Sequence, residues 1–225
     1  MIRAAIFDVD GTLIDSVDLH ARAWQQALAA FGHHIPFPDV RHQIGKGGDQ
    51  LLPVFLSDAE LKGYGARIEE LRQQIYKREY LHRVQPFPKV RDLFLRLRRD
   101  GIRTVLASSA KDDEVNFYKE ACGISDLVEA RTSKDDVERS KPDPDIFAAA
   151  LDRIGDLDSL EVIAIGDTPY DAEAAGKLGI ATIGVLCGGF SEHELLGAGC
   201  AEIYRDPADL LLHYDESAFS ARTAA

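Results

Sequence analysis

Two aspartates, Asp8 and Asp10, stand one residue apart directly after the apolar segment Ile2–Phe7. This segment has the composition of a strand that is buried on both faces of a parallel sheet. Because side chains alternate along a strand, the two carboxylates would share a face if the extended conformation continued. Gly11 then predicts a sharp change of chain direction beyond the carboxyl end of the strand, where open α/β sheets bind their ligands.

Two carboxylates this close raise each other's pKa unless a cation lies between them. Two kinds of chemistry relieve the repulsion: a bound Mg²⁺, or a shared proton with one acid and one base. On its own, the pattern also fits an inert polar strand end followed by a turn. Polar residues elsewhere in the chain must therefore decide between these alternatives.

Ser108 and Lys141 are two further candidates for such chemistry. Ser108 follows the apolar segment 102–107, and its hydroxyl and the next backbone N–H groups can donate to a phosphoryl oxygen. The alternative for Ser108 is a plain helix N-cap. Lys141 precedes two prolines, so a constrained backbone can aim its ammonium at negative charge inside the protein. The alternative for Lys141 is a solvated lysine in a loop.

Asp167 and Asp171 follow a third apolar segment, Val162–Ile165, in a strand-to-helix turn. An acidic pair in such a turn can hold Mg²⁺ directly and through water. The structural alternative has Asp167 as helix N-cap and Asp171 stabilising the first helical turn. Each structural alternative is reasonable for one position, but the four positions together favour phosphate and metal chemistry.

These positions resemble, in type and order, the four motifs of the haloacid dehalogenase (HAD) superfamily. The matching segments are Asp8–Thr12, Ser108 after a strand, Lys141-Pro142 and Gly166–Asp171. The segment Asp136–Phe147 is also similar to the phosphoglycolate-phosphatase and β-phosphoglucomutase branch of that superfamily. The resemblance spans nearly the whole chain.

The resemblance implies an enzyme in which an aspartate accepts a phosphoryl group. Asp8 would be the nucleophile, and Asp10 the general acid and base, with its backbone carbonyl as a Mg²⁺ ligand. Lys141 would neutralise charge and keep Asp8 ionised, and Asp171 would act through water or by orienting Lys141. Ser108 would bind the transferred group. The implied catalytic residues are Asp8, Asp10, Ser108 and Lys141, and the implied metal ligands are Asp8, Asp10, Asp167 and Asp171.

The remaining apolar segments alternate with helical patterns. Strands are expected at residues 2–7, 102–107, 127–128, 162–165, 180–186 and 201–204. Strands that alternate with helices in this way predict an α/β fold with a doubly wound parallel sheet. Residues 17–84 show helical patterns and no convincing strand. The resemblance implies a Rossmann-like core of residues 1–16 and 85–225, with residues 17–84 inserted as an α-helical cap domain.

In such an arrangement the core recognises phosphate, so the cap must read the rest of the substrate. His20 lies where relatives carry a histidine near the hinge, although a surface histidine is the alternative. Relatives often use an Arg in the cap loop and a Lys on a later cap helix, and the nearest matches here are Lys46 and Lys77. From the core, Ser108 and Ser109 would contact the substrate.

The composition is that of an ordinary globular protein, with 45% hydrophobic and 28% charged residues among 225. The 26 Lys and Arg against 38 Asp and Glu give a net charge of −12, which disfavours nucleic acid and anionic membranes as partners. No apolar run approaches the roughly 20 residues that span a bilayer. The start of the sequence has no signal-peptide pattern, so we expect a cytoplasmic protein. The sequence leaves open whether it is a monomer or a homodimer.

Three functions are compatible with these observations. The first is a Mg²⁺-dependent phosphatase that hydrolyses a small phosphorylated metabolite, such as phosphoglycolate or a sugar phosphate. The second is a β-phosphoglucomutase-like phosphomutase, in which the aspartyl phosphate returns to substrate instead of water. The third is a receiver-type regulatory phospho-acceptor. This one is disfavoured, because receivers place the acceptor on a middle strand of the chain and lack a helical insertion.

Overall fold

The computed structural model describes residues 1–220, so the last five residues of the predicted core, 221–225, lie outside the described residues. Eight strands are formed within residues 1–220: β1 (Ala4–Phe7), β2 (Ile14–Asp15), β3 (Gln85–Pro86), β4 (Arg103–Ala107), β5 (Ala130–Thr132), β6 (Val162–Gly166), β7 (Ala181–Val185) and β8 (Cys200–Tyr204). Six of them form one parallel sheet in the order β5-β4-β1-β6-β7-β8. The predicted α/β fold with a doubly wound parallel sheet is confirmed.

Strand β1 lies at the centre of this sheet, between β4 and β6. All four of its residues are buried. Ala4 and Ile6 pack into the hydrophobic cluster on one face, and Ala5 and Phe7 into the cluster on the other face. The chain runs from β1 to β4 and β5 on one side and returns to β6 on the other. The carboxyl end of β1 is therefore the point where an open sheet of this kind leaves a crevice for a ligand.

The helices fall into two groups. Between β2 and β3 lie α1 (Val17–Ala30), α2 (Phe37–Arg41), α3 (Gly48–Phe55), α4 (Asp58–Glu60) and α5 (Ala66–Ile75), with π-helical turns at Leu61–Gly65 and Tyr76–Tyr80. After β3 come α6 (Val90–Arg99), α7 (Asp112–Ala121), α8 (Asp145–Ile154), α9 (Pro169–Gly176), α10 (Glu192–Gly197) and α11 (Pro207–Leu212). The first group is the insertion, and the second group covers the sheet.

The insertion leaves and rejoins the sheet domain through a two-stranded antiparallel ribbon of β2 and β3. Each ribbon strand has two residues, which is too short to produce a recognisable sequence pattern. Inside the insertion, the apolar side of α1, including Trp24 and Leu28, belongs to the same hydrophobic cluster as Ile68 of α5. That cluster continues into the residues on one face of the sheet, so one hydrophobic core joins the insertion to the sheet domain.

The strand predicted at residues 127–128 is wrong. Leu127 and Val128 lie in a turn in which both backbone N–H groups donate to the carbonyl of Ile124, at 2.9 and 3.1 Å. The strand forms three residues later, at Ala130–Thr132, and pairs with β4. Of its residues only Thr132 is buried, because β5 is an edge strand and lacks an apolar run. An apolar pattern therefore could not locate it.

Two further features concern the described residues as a whole. None of the helices within residues 1–220 combines the length and the apolar composition needed to cross a membrane. Cys122, Cys187 and Cys200 are all free thiols.

Candidate active site

Asp8 directly follows β1, and it is 5% exposed at the carboxyl end of the sheet. The ammonium of Lys141, which is fully buried, donates to Asp8 Oδ1 and, at 2.9 Å, to the backbone carbonyl of Ala107 at the end of β4. The same ammonium lies 2.8 Å from Asp171 Oδ1. Lys141 is thus an interior lysine between two carboxylates, and the solvated-loop alternative is wrong. We call Asp8, Lys141, Asp167 and Asp171 the carboxylate–lysine cluster.

Burial sets the electrostatics of this cluster. It raises the pKa of Asp8 to about 7, with Lys141 opposing the shift and Asp171 and Asp10 adding to it. Burial and the neighbouring charges of Asp8 and Asp171 also raise the pKa of Asp167 well above its ordinary value. For Lys141, burial lowers the pKa, but Asp171 and Asp8 outweigh it and the net direction is upward. The lysine is therefore charged, and the carboxylates need more positive charge to be ionised together.

Asp167 has an oxygen that is free to bind a cation. It follows β6, and its Oδ1 accepts a hydrogen bond of 2.9 Å from Thr12, whose hydroxyl also lies 3.1 Å from Asp8 Oδ2. Its Oδ2 is buried and has no hydrogen-bond partner among the described residues. A β-carbon built on Gly188 would lie 1.7 Å from this oxygen, so only glycine allows the carboxylate to sit there.

The cluster fits a hard divalent cation. Asp8, Asp167 and Asp171 each offer an oxygen, and these oxygens lie within 4.8 Å of one another. Carboxylate oxygens are the ligands that Mg²⁺ prefers in proteins. Three carboxylates and one lysine leave an excess of negative charge in a buried site, and a divalent cation compensates it.

Asp171 is the least available of the three carboxylates. Its Oδ2 accepts from the backbone N–H and the hydroxyl of Thr168 at 3.1 and 2.7 Å, and its Oδ1 faces Lys141. Thr168 is the N-cap of α9, so the alternative in which Asp167 caps this helix is wrong. The contacts favour the predicted role of Asp171 in orienting Lys141 over direct ligation of a metal.

The carboxylate of Asp10 is held by hydrogen bonds on the side that faces the insertion. Its Oδ1 accepts from the Ser16 hydroxyl at 2.6 Å and from His20 Nε2 at 2.8 Å. Burial alone would raise the pKa of Asp10, but the His20 charge and the hydrogen bonds from His20 and Ser16 outweigh it and lower the pKa. His20 is 6% exposed and its ring stacks on Tyr76 at 3.9 Å, so the surface-histidine alternative is wrong.

Ser108 is fully buried beside Asp10. Its hydroxyl lies 3.4 Å from Asp10 Oδ2 and accepts the N–H of Ala110 at 3.0 Å. Helix α7 starts at Asp112 with Lys111 at the N-cap position, so Ser108 is not its N-cap. Ser109 donates to the carbonyl of Gly45 in the insertion at 3.3 Å.

A small cavity of about 30 Å³ lies between the sheet domain and the insertion. Its polar lining residues include Asp8, Asp10 and Ser109 from the sheet domain, and His20, Lys46 and Arg72 from the insertion. Trp24 contributes an apolar wall. We call His20, Trp24, Lys46 and Arg72 the insertion wall. The structure therefore brings three predicted site residues of the core and two of the three predicted cap residues to the lining of one cavity.

Lys77 requires a correction. It does not line the cavity; its ammonium pairs with Asp113 on α7 at 2.6 Å, and both side chains are largely exposed. The basic residue that reaches the cavity is Arg72 on α5, five positions before Lys77, which itself lies in the following π-helical turn. Sequence reasoning missed it, although Ile68, Arg72 and Ile75 have the spacing of one buried helical stripe.

The chain is similar to known proteins over most of its length. Residues 2–179 match the family model of the haloacid dehalogenase-like hydrolases. The chain is similar to a phosphoglycolate phosphatase of Yersinia pestis, with 31% identity over 83% of this chain and 82% of that protein. It is also 29% identical, over 94% of its own length, to the chloroplastic protein SUPPRESSOR OF QUENCHING 1 of Arabidopsis thaliana, of which it spans 20%.

Solved structures with the same fold include two that are similar in sequence as well. A hydrolase from Pseudomonas syringae is 32% identical, with a TM-score of 0.86 over 96% of this chain and 99% of that one. CbbY from Rhodobacter sphaeroides, solved in complex with phosphate, is 27% identical, with a TM-score of 0.75 over 93% of this chain and 96% of that one. Both similarities extend over the sheet domain and the insertion together.

Proposed function

We propose that this chain, which belongs to the haloacid dehalogenase-like hydrolase family, is a Mg²⁺-dependent phosphatase with Asp8 as its nucleophile. The observation that carries the proposal is the carboxylate–lysine cluster. In it Lys141 contacts Asp8, and a buried oxygen of Asp167 has no hydrogen-bond partner among the residues that the structure describes. The proposed substrate is a small phosphorylated metabolite of the phosphoglycolate or sugar-phosphate type. The similarity to a phosphoglycolate phosphatase supports this substrate class.

The first half-reaction transfers the phosphoryl group to the protein. An oxygen of Asp8 attacks the phosphorus in line, and the bond between phosphorus and the ester oxygen breaks. Asp10 gives a proton to that leaving oxygen, so the alcohol departs neutral. The negative charge of a phosphoryl group bound beside Asp10 opposes the His20 charge that lowers its pKa, and so favours the protonated form that this step needs. Lys141 and the hydroxyl of Ser108 stabilise charge on the phosphoryl oxygens, and both are fixed before the substrate binds.

The second half-reaction returns Asp8 to its carboxylate. A water molecule attacks the phosphorus of the aspartyl phosphate and passes a proton to Asp10, which is now the base. Inorganic phosphate leaves, and Asp10 is protonated again for the next cycle. Ser16 and His20 hold the carboxylate of Asp10 beside the cavity, so both proton transfers use one fixed group.

Mg²⁺ would be held by Asp8, Asp167 and the backbone carbonyl of Asp10, with Asp171 behind Lys141. It would supply positive charge that stabilises the transferring phosphoryl group. Within residues 1–220, Oδ2 of Asp167 has no hydrogen-bond partner and burial raises the pKa of Asp8, and both features fit a ligand set that binds a cation.

The division of the chain into a sheet domain and an insertion supports separate recognition of the phosphate and of the rest of the substrate. We propose that residues 17–84 act as the cap, with residues 1–16 and 85–225 as the core, and that the ribbon of β2 and β3 connects them. His20 and Lys46 then face the substrate from the cap, and Ser108 and Ser109 face it from the core. We do not retain Lys77 as a substrate ligand, because it pairs with Asp113 outside the cavity.

The test is phosphate release from a panel of phosphomonoesters with Mg²⁺, with and without a chelator, by the native enzyme and Asp8→Asn. We expect Mg²⁺-dependent release that disappears in the variant. Release that survives in Asp8→Asn, or that is indifferent to the chelator, would overturn the proposal. Conversion of β-glucose 1-phosphate to glucose 6-phosphate without release would favour the phosphomutase. A stable phosphoprotein without turnover would favour the receiver-type alternative.

A further inference from the structure

The histidine that contacts Asp10 is itself held by two buried tyrosines. His20 Nε2 lies 2.8 Å from Asp10 Oδ1 and 3.2 Å from the hydroxyl of Tyr118, on α7 of the sheet domain. That hydroxyl lies 2.6 Å from the hydroxyl of Tyr76, at the start of the second π-helical turn of the insertion. The ring of Tyr76 also stacks on the His20 ring, with 10° between the two planes. The imidazole is therefore held at one face by Tyr76 and at its Nε2 edge by Tyr118.

The hydroxyl of Tyr118 is committed to these contacts. Within residues 1–220, its hydrogen-bond partners are His20 Nε2 and the hydroxyl of Tyr76. Both tyrosines are fully buried, and a buried phenol is costly unless its hydroxyl is hydrogen-bonded. Burial and the nearby charge of Asp10 raise the pKa of both phenols, so each stays a neutral hydroxyl. Because a hydroxyl can donate or accept, Tyr118 can stay bonded to Nε2 in either hydrogen-bonding role of the histidine.

These contacts bear on the reaction because proton transfer depends on where the Asp10 carboxylate lies relative to the leaving oxygen. Two side chains hold this carboxylate at Oδ1: Ser16, at the start of α1, and His20, one turn into the same helix. The imidazole can change rotamer unless a second contact fixes it. The hydroxyl of Tyr118 is such a contact, and it comes from the sheet domain, which also carries Asp10.

We propose that Tyr118 is a positioning residue whose hydroxyl holds the His20 imidazole against Asp10, the group that protonates the leaving oxygen. The inference rests on the proposed function and adds to it a residue of α7 that lies outside the four family motifs. In the alternative, Tyr118 and Tyr76 only satisfy each other's hydroxyl groups where the insertion meets the sheet domain. Loss of such a structural contact would affect all substrates equally.

The first experiment compares two substrates that differ in their need for a proton. One is the alkyl phosphate that the enzyme turns over fastest, which releases an alkoxide that must be protonated. The other is acetyl phosphate, which releases acetate, a weak base that leaves without a proton. The readout is the ratio of the two kcat/KM values, because kcat/KM reports the steps up to phosphoryl transfer. Both substrates meet the same preparation, so the ratio does not depend on the fraction of enzyme that is folded.

In Tyr118→Phe we expect kcat/KM for the alkyl phosphate to fall by about 3- to 10-fold, the range of one lost hydrogen bond, and that for acetyl phosphate to change by less than about twofold. Tyr76→Phe keeps the stacked ring but removes the hydroxyl that holds Tyr118, so it should lower the same ratio by a smaller factor. The matched control is Tyr64→Phe. Tyr64 makes a similar contact to another histidine, His33, at 3.0 Å and outside the cavity lining, so its loss should leave the ratio unchanged.

A double-mutant cycle tests whether Tyr118 acts through His20. In the His20→Ala background, Tyr118→Phe should change kcat/KM for the alkyl phosphate by less than about twofold, because no imidazole remains to be positioned. The cycle needs the alkyl phosphate alone, so it decides even if acetyl phosphate is a poor substrate.

Three results would overturn the inference: an unchanged kcat/KM in Tyr118→Phe, an equal fall for both substrates, or a full effect of Tyr118→Phe in the His20→Ala background. If Tyr118→Phe does not fold, Tyr76→Phe decides by the same ratio and the same cycle. Turnover that depends on Asp8 but ignores Tyr118 rejects this inference alone. Turnover that survives Asp8→Asn, or the absence of turnover with every phosphomonoester, rejects the proposed function.

Discussion

The carboxylate–lysine cluster and the insertion wall face the same cavity but are built differently. In the cluster, Lys141 contacts both Asp8 and Asp171, and Thr12 lies between Asp8 and Asp167. In the insertion wall, Arg72 pairs with Glu114 only at 3.9 Å, and its Nε and Nη1 have no hydrogen-bond partner within residues 1–220. The difference indicates that short contacts within the sheet domain fix Asp8 and the other carboxylates of the cluster, whereas Arg72 is held by a longer ion pair and a ring contact.

The largest expected effect comes from removing the nucleophile in the cluster. Asp8→Asn keeps the size of the side chain but not its charge, so we expect a loss of at least about 10⁴-fold in kcat. The fold should be retained, because asparagine can still accept the Lys141 ammonium at Oδ1. Phosphate release and circular dichroism check the two statements. Normal turnover by the variant would reject Asp8 as nucleophile.

Lys141→Ala should be the next most severe change. It removes a charge that stabilises the phosphoryl group, and we expect kcat to fall by about 10²- to 10³-fold. It also leaves Asp8 and Asp171 buried without their cation, which should lower the free energy of unfolding by about 3–5 kcal/mol. Steady-state kinetics and urea unfolding measure the two effects. An unchanged rate with unchanged stability would place this lysine outside the reaction.

Without Mg²⁺, the free energy of unfolding should depend on pH, because the buried carboxylates of the cluster are costly to ionise together. In the metal-free protein the pKa of Asp8 is about 7, against an ordinary value of 3.8. Between these pH values the folded state holds a proton that the unfolded state has released, so the free energy of unfolding falls as pH rises and levels off above about 7. Asp167 contributes in the same direction.

Thermal unfolding with and without Mg²⁺ tests this expectation. The stabilisation by Mg²⁺ should grow as pH rises from about 5 to 7, because the metal replaces the protons that the carboxylates would otherwise need. Asp8→Asn removes one of the titrating groups, so the metal-free variant should show a shallower decline than the native protein. A metal-free stability that rises through this interval, in both proteins alike, would contradict the assigned electrostatics.

Lys77→Ala should have the smallest effect, because this side chain lies outside the insertion wall. The side chains of Lys77 and Asp113 are 40% and 62% exposed, and such surface ion pairs contribute about 0–1 kcal/mol. We expect kcat/KM to change by less than about threefold, since this lysine does not line the cavity. A large and selective rise in KM would return Lys77 to the substrate site.

Much of the cluster could be predicted from the sequence, because its residues follow from local rules. Asp8 and Asp167 each come directly after an apolar strand, and the carboxyl ends of neighbouring parallel strands meet at one edge of a sheet. Lys141 was predicted from its two prolines together with the family motif. Its contact with the carbonyl of Ala107 depends on tertiary packing and has no sequence signal.

The insertion wall was less predictable for the same reason. The choice between Arg72 and Lys77 depends on which side of one helix faces the sheet domain, and that is decided by packing between distant segments. The buried partner of Arg72, Glu114, lies on α7 of the sheet domain, 42 positions along the chain. The edge strand Ala130–Thr132 likewise lacks an apolar pattern, because an edge position does not require one.

The most direct test of the account is to find the phosphoryl group on the protein. The enzyme is mixed with Mg²⁺ and a substrate that it turns over, quenched in acid within one turnover, digested and analysed by mass spectrometry. We expect one added phosphoryl group on the peptide that contains Asp8, and none on that peptide from Asp8→Asn. A phosphoryl group on any other residue, or turnover with no phosphorylated peptide at any quench time, would contradict the account.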